Sequence, residues 1–287
     1  MATTFKTLLN NDITSTRTLL HEAVPITGTI VSGTYSEAST TTSNIKNYGH
    51  AMFQSVYDYP YLSSSANHIF DITVGYAPDS ALSKSSGVAA DQNKKINLYN
   101  QMAQLLVGHD VTGSIRNFDQ DGNIAAAGGK MREVIFINFA RLLGKDELKK
   151  GTTTLQFLTG GRPVAAAVGA GGGTILTISD HNAANEFRIN SPAGEYGILY
   201  TSSATPTPTS GVGHIYYQAG IAVLTASIFD GEFGAPAASY ETGSIQKVLS
   251  GSNITASCDG LRNRIYNFSF NNTTELNSTI YFCRANH

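Results

Sequence analysis

In the turn "FDQDGN", Asp119, Asp121 and Asn123 stand at alternate positions, and alternating carboxylate and amide oxygens of this kind open calcium-binding loops. A complete loop of that class carries glycine at its sixth position and a bidentate Glu at its twelfth. Counted from Asp119, Gly122 is fourth and Lys130 twelfth, so the ligand set is incomplete. Asp, Gly and Asn also make tight turns, because all three tolerate positive φ, and a turn is the expectation here.

The second chemistry-bearing stretch is "VAAAVGAGGGTILTISD", residues 164–180. A dinucleotide fingerprint needs three glycines at fixed offsets that open a helix, whose N–H groups then face the pyrophosphate. Gly169 and Gly171 fit, but Thr174 takes the third position. The β-branched run "TILTISD" that follows favours a strand. No Gly-Lys-Ser/Thr triplet occurs anywhere in the chain, which excludes a phosphate loop. The run from Gly160 to Gly173 therefore reads as a connection between two strands that projects as a hairpin arm.

Other reactive residue types are present without a pattern. The seven histidines are scattered and form no H-E-x-x-H pair, and no G-x-S-x-G elbow occurs. Cys258 and Cys283 are not a C-x-x-C pair and are expected to be buried free thiols. The sequons at Asn253, Asn267, Asn271, Asn272 and Asn277 reflect an Asn/Thr-rich composition in a chain in which no secretory leader is read. No catalytic, cofactor-binding or metal-ligating residue is assigned, and the chain is read as a non-enzyme without cofactor.

Composition narrows the partners. Among 287 residues, 19 Lys and Arg stand against 21 Asp and Glu, so no strong positive field exists to attract nucleic acid or an anionic membrane. No apolar run is long enough to span a bilayer as a helix. Abundant Gly, Ser, Thr and Asn with sparse charge give a surface that loses little hydration on contact with a partner.

Elements that would position these residues are legible in places. "HIFDITVGY" alternates as a strand. Asp91 can cap a helix over about 92–107 that Gly108 ends, with Ile96, Tyr99, Met102, Ala103 and Leu106 on one stripe. Val134–Phe139 is nearly continuous in apolar character, as in a strand buried on both faces. "GKDELKKG" reads as a charged turn or a single helical turn. "TTTLQFLTGG", "GTILTISD", "NEFRINS", "EYGILYTS", "HIYYQAGIAVLTASIF", "IYNFSFNN" and "STIYFC" read as strands, and "SSATPTPTSGVG" as a projecting loop. The expected fold is mainly β: a β-sandwich or barrel-like domain with one inserted amphipathic helix. An extended N-terminal arm (1–45) precedes the main β domain (46–250), and C-terminal β strands (251–287) form part of it or a small separate unit.

Three stretches, "SVYDYPYLSSSANHIFDITVGY", "INSPAGEYGILY" and "YYQAGIAVLTASIF", resemble virion structural proteins of T4-like contractile-tailed phages, of the group that infects marine bacteria and cyanobacteria. The likeness runs from about residue 45 to 235. It implies a structural subunit of a bacteriophage virion in the tail, baseplate or neck, assembled in the host cytoplasm. Its partners would be other virion structural proteins and copies of itself, with no nucleic acid and no membrane. The alternatives are a receptor- or carbohydrate-binding module of a tail fibre, for which 14 tyrosines offer stacking faces, and a capsid decoration protein. A cell-wall-degrading enzyme would rest on the association with phage tails alone.

Overall fold

The computed structural model describes residues 7–25, 44–59, 61–84, 89–124, 128–159, 174–201, 207, 210–229, 233–234, 242–243, 249, 253–262 and 264–283. Its largest feature is one antiparallel sheet. Along the chain its strands are β1 (Ile13–Pro25), β2 (Ile45–Asn47), β3 (Gln54–Tyr57) and β4 (His68–Tyr76). Helix α1 (Ala89–Leu106) and a small β5–β6 pair (Phe118–Asp119, Lys130–Met131) come next, followed by β7 (Glu133–Phe139), α2 (Arg141–Gly144) and β8 (Glu147–Leu148). Then come β9 (Thr154–Thr159), β10 (Thr174–Ser179), α3 (Ala183–Glu186), β11 (Tyr196–Thr201), β12 (Gly211–Tyr216) and β13 (Ile221–Thr225). A second small pair, β14–β15 (Phe233–Gly234, Thr242–Gly243), precedes α4 (Ile254–Arg262) and the long β16 (Ile265–Tyr281).

In the sheet the order is β1-β16-β9-β10-β11-β12-β13-β7-β4-β3-β2, with β8 paired to β16 off this path. Six strands separate β16 from β4 in that order, yet the rings of Phe70 on β4 and Phe268 on β16 have centroids 5.6 Å apart. Phe139 of β7 lies 5.0 Å from Phe270 of β16. The sheet therefore folds back on itself, and its inner faces meet as in a sandwich. Phe157, Ile135, Ile137, Leu224 and Ile215 fill the space between them. Helix α4 lies against the inner side of β4, with Ile254, Cys258 and Leu261 in the same core.

The outer face carries a second core. Tyr99, Ala103 and Leu106 of α1 pack with Phe118, Val134, Phe136, Tyr216 and Val223. Strands β7 and β13 are thus buried on both faces, as the nearly continuous apolar run at Val134–Phe139 predicts, broken only by the half-buried Asn138. Helix α1 can lie this close to β4 because Gly75 has no side chain: a Cβ there would sit 2.9 Å from the Lys95 carbonyl and 3.1 Å from Tyr99 Cβ.

The mainly β fold with an inserted helix agrees with the sequence, and α1 ends before Gly108, whose φ is +81°. Five details differ. Helix α1 begins at Ala89, ahead of Asp91, so Asp91 lies in its first turn and does not cap it. Residues 254–262 form a helix, so only 265–281 of the C-terminal segment is strand. "NEFRINS" contributes α3 and a single bridge from Arg188 to Tyr196 instead of a strand. Gly211–Gly213, read as loop, begins β12. Cys283 is exposed, while Cys258 is buried. Strands β9 and β10 pair from Thr159↔Thr174 onward, and the glycine-rich segment 160–173 between them lies outside the described residues, as do 26–43 of the N-terminal arm.

Candidate functional site

The "FDQDGN" residues are held as a structural turn. Asp119 is buried at the end of β5, where it accepts from Lys130 Nζ at 2.8 Å and from the Asp121 N–H at 3.2 Å. Burial raises the pKa of Asp119, and its hydrogen bond to Asp121 lowers that of Asp121. Backbone oxygens that a cation would need are taken: Arg188 donates to the Asp121 carbonyl at 3.3 Å, and Asn190 to that of Gly122 at 3.1 Å. The Asn123 N–H closes on Asp121 Oδ1 at 2.9 Å, and Gly122 has φ +73°. Among the described residues no group of three or more His, Cys, Asp or Glu is placed to hold a metal ion.

Beside this turn His214 is fully buried between the rings of Tyr196 (4.9 Å) and Tyr216 (6.0 Å). Burial pulls its pKa down to about 4, so the imidazole is neutral at pH 7, and its Nε2 makes no hydrogen bond. Enclosed in a packed core, it has no substrate to meet.

Ser55, Asp71 and His68 converge on the outer face of β3 and β4, a grouping the sequence reading did not single out. Ser55 Oγ donates to Asp71 Oδ1 at 2.5 Å, and His68 Nε2 lies 2.7 Å from the same oxygen. The carboxylate sits between hydroxyl and imidazole, so the histidine is not placed to take the serine proton, as a nucleophile's base must be. Rings cluster around the group: Tyr57 packs edge-on to His68 at 5.5 Å and tilts toward Tyr61 at 6.1 Å. A cavity of about 170 Å³ opens beside it, lined by His68, Asn138, Arg141, Tyr217 and Gln218 among others.

A long exposed ribbon is built by β1 and β16, which lie near the two ends of the sequence. β1 and the distal part of β16 pair over thirteen consecutive positions, from Ile13↔Tyr281 to Pro25↔Ser269, with no register shift. The base of this ribbon is tied to the body. Val24 packs on the inner core, β8 pairs with Asn272 and Thr273, Asn272 donates to the Leu143 carbonyl at 2.8 Å, and the Glu275 N–H donates to Asp146 at 2.8 Å. Beyond it, Ile13–Thr18 and Leu276–Tyr281 continue for six pairs, about 20 Å at ~3.4 Å per residue. Throughout β1 every residue but Val24 is exposed. Leu19, Leu20, Leu276, Ile280, Tyr281 and Phe282 each keep 47–59% of their surface in solvent. The two faces differ: Arg17 pairs with Glu275 on one, while Thr16 bonds Ser278 at 2.6 Å on the other, which also carries Thr14, Thr18, Leu20, Leu276 and Ile280.

Sequence reasoning placed an arm at the N-terminus but not this ribbon. A strand wet on both faces has no alternation to detect, and its partner lies more than 250 residues away. No helix among the described residues is long and apolar enough to cross a membrane. No family model, no curated protein and no solved structure matches the chain.

Proposed function

We propose that the chain is a structural subunit of a bacteriophage virion, in the tail, baseplate or neck, working through protein–protein contacts. The observation that carries this reading is the ribbon: six residue pairs project beyond the base with both faces in water and large apolar side chains exposed. Exposed apolar surface of this kind marks an interaction site. Sparse charge and the resemblance to virion proteins support the same reading. The test is to image purified phage particles with this chain tagged. Density for it in tail, baseplate or neck is the expected result. Density on the capsid lattice would make it a decoration protein, and absence from mature particles would overturn the reading.

A receptor- or carbohydrate-binding module is the second reading, favoured by Tyr57, Tyr61 and His68 beside the polar cavity at Asn138 and Arg141. Aromatic faces next to amide and guanidinium donors suit sugar rings. Binding of host surface polysaccharide by the intact chain, weakened by Tyr57→Ala, is its expected signature. No binding at millimolar polysaccharide would remove it.

A further inference from the structure

We infer that the ribbon is a dimerisation arm, in which β1 of one copy pairs antiparallel with β1 of a second copy about a two-fold axis at Thr18. This deepens the assembly reading and rests on it.

The first argument is the edge itself. Edge strands are ordinarily kept short, bulged, or guarded by lysine or proline, because their free N–H and C=O groups accept any added strand. The opposite edge of this sheet obeys the rule: β2 has three residues, with Lys46 at its centre held over the Tyr48 ring at 4.9 Å. β1 does not. It is thirteen residues long, ends the sheet, has no bulge and no lysine, and carries proline only at its last position.

The second argument is self-complementarity. On the projecting part, the face bearing Thr14, Thr16, Thr18, Leu276, Ser278 and Ile280 carries no charge, and Leu20 continues it toward the base. Two such arms in one sheet place these faces side by side with no unmatched charge to strip of water. Among the described residues β1 is also the one long, regular strand with an unguarded edge, and antiparallel pairing about a two-fold satisfies both copies at once.

The third argument fixes the register. Residues opposite each other in an antiparallel pair share a face, so a two-fold between two β1 strands passes through one residue. An axis at Thr16 or nearer Ile13 pairs at most seven residues of β1, against eleven at Thr18, and an axis at Arg17 sets two guanidiniums opposite each other, which is repulsive. An axis at Leu19 sets Arg17 against His21. An axis at Leu20 brings Pro25 into the ladder, where it has no N–H to donate. With the axis at Thr18, Thr18 meets Thr18, Thr16 meets Leu20 and Arg17 meets Leu19, and no like charges are opposed. The product is a four-stranded sheet in which each ribbon gains a neighbour.

The experiment uses the purified full chain. In a Cys283→Ser background, single cysteines are placed at Arg17, Thr18 and Leu20 and oxidised. Directly opposed residues lie about 4.5–5.5 Å apart at Cα, within disulfide reach, so Thr18→Cys is expected to give dimers about tenfold faster than either neighbour. In sedimentation, Thr16→Lys/Thr18→Lys is expected to weaken self-association by at least about tenfold and to leave the melting midpoint unchanged, which shows the body intact. Self-association undiminished by the lysines, or equal cross-linking at all three positions, overturns the arm pairing and leaves the assembly reading standing. A wild-type chain monomeric at every concentration also overturns it, whether its ribbon stays free or is taken by another virion protein. Only absence from the particle removes the assembly reading.

Discussion

Three donors converge on Asp180. The N–H groups of Gly151 and Thr153, both at 2.8 Å, and the Tyr217 hydroxyl at 3.0 Å share its two oxygens between β9, β10 and the β12–β13 turn, where Asp180, Thr153 and Tyr217 are buried and Gly151 is exposed. Alanine at 180 orphans the buried Thr153 N–H and Tyr217 hydroxyl, and each buried unsatisfied group costs roughly 1–3 kcal/mol. Asp180→Ala is therefore expected to lower stability by about 3–5 kcal/mol in urea unfolding, and Asp180→Asn by less, because one acceptor oxygen remains. His214 makes the acid side of the stability curve. Its folded pKa, about 4, lies below the ordinary 6.5, so between those values the unfolded chain takes up a proton that the folded chain refuses. Stability from this residue is complete above pH 6.5 and is lost as pH falls toward 4, by about 3 kcal/mol at ~1.4 kcal/mol per pH unit. Burial raises Asp180 instead, so its contribution has the opposite sign and weakens as pH rises through its folded pKa. His214→Phe fills the same aromatic slot without a titrating nitrogen. Its melting midpoint is expected to change much less between pH 6.5 and 4 than that of the wild type, and an unchanged slope would place the acid sensitivity elsewhere.

At the scale of elements, the contact between α1 and β4 depends on one missing side chain. Backbone surrounds the position a Cβ of residue 75 would take, and backbone does not move aside as a long side chain can. Gly75→Ala is expected to push α1 outward and destabilise by about 1–3 kcal/mol, the usual range for overpacking, and Gly75→Val by more; thermal melts would read both. This contact also shows what the sequence reveals about its own fold. The stripe of α1 and the double burial of β7 were legible, because apolar periodicity reports directly on which faces are covered. Helix α4 was also written in the chain, though under another sign. Asn253 reads as a sequon, but its Oδ1 accepts the Ala256 N–H at 2.8 Å as an N-cap, and Ile254, Cys258 and Leu261 follow at helical spacing. In "NEFRINS" the misreading ran the other way. Phe187 and Ile189 alternate like strand residues, yet both are exposed, and the segment meets β11 through the single Arg188–Tyr196 bridge. The Ser55–Asp71–His68 group needs β3 and β4 in register, which no local pattern encodes.

For the whole molecule, the decisive contrast is between strands buried on both faces and a ribbon wet on both. β7 and β13 have apolar cores above and below, so their amides open only when the body unfolds. The outer ribbon has its cross-strand hydrogen bonds and the Arg17–Glu275 pair, and a two-stranded ribbon of this kind is marginal in water. Hydrogen exchange on the isolated chain is expected to show Ile13–Thr18 and Leu276–Tyr281 exchanging orders of magnitude faster than β7 and β13. In the assembled state the ribbon should slow by about a hundredfold or more, since a covered ribbon opens only when its partner leaves. Leu19→Ser/Leu20→Ser/Leu276→Ser separates the two roles a surface apolar residue can have. If these leucines serve contact with a partner, the triple variant melts like the wild type but fails to assemble; if they hold the body together, its midpoint falls even when the chain is dilute. Their exposure of 47–52% leaves little burial in the free chain to lose, which is why assembly, and not folding, is where the loss is expected.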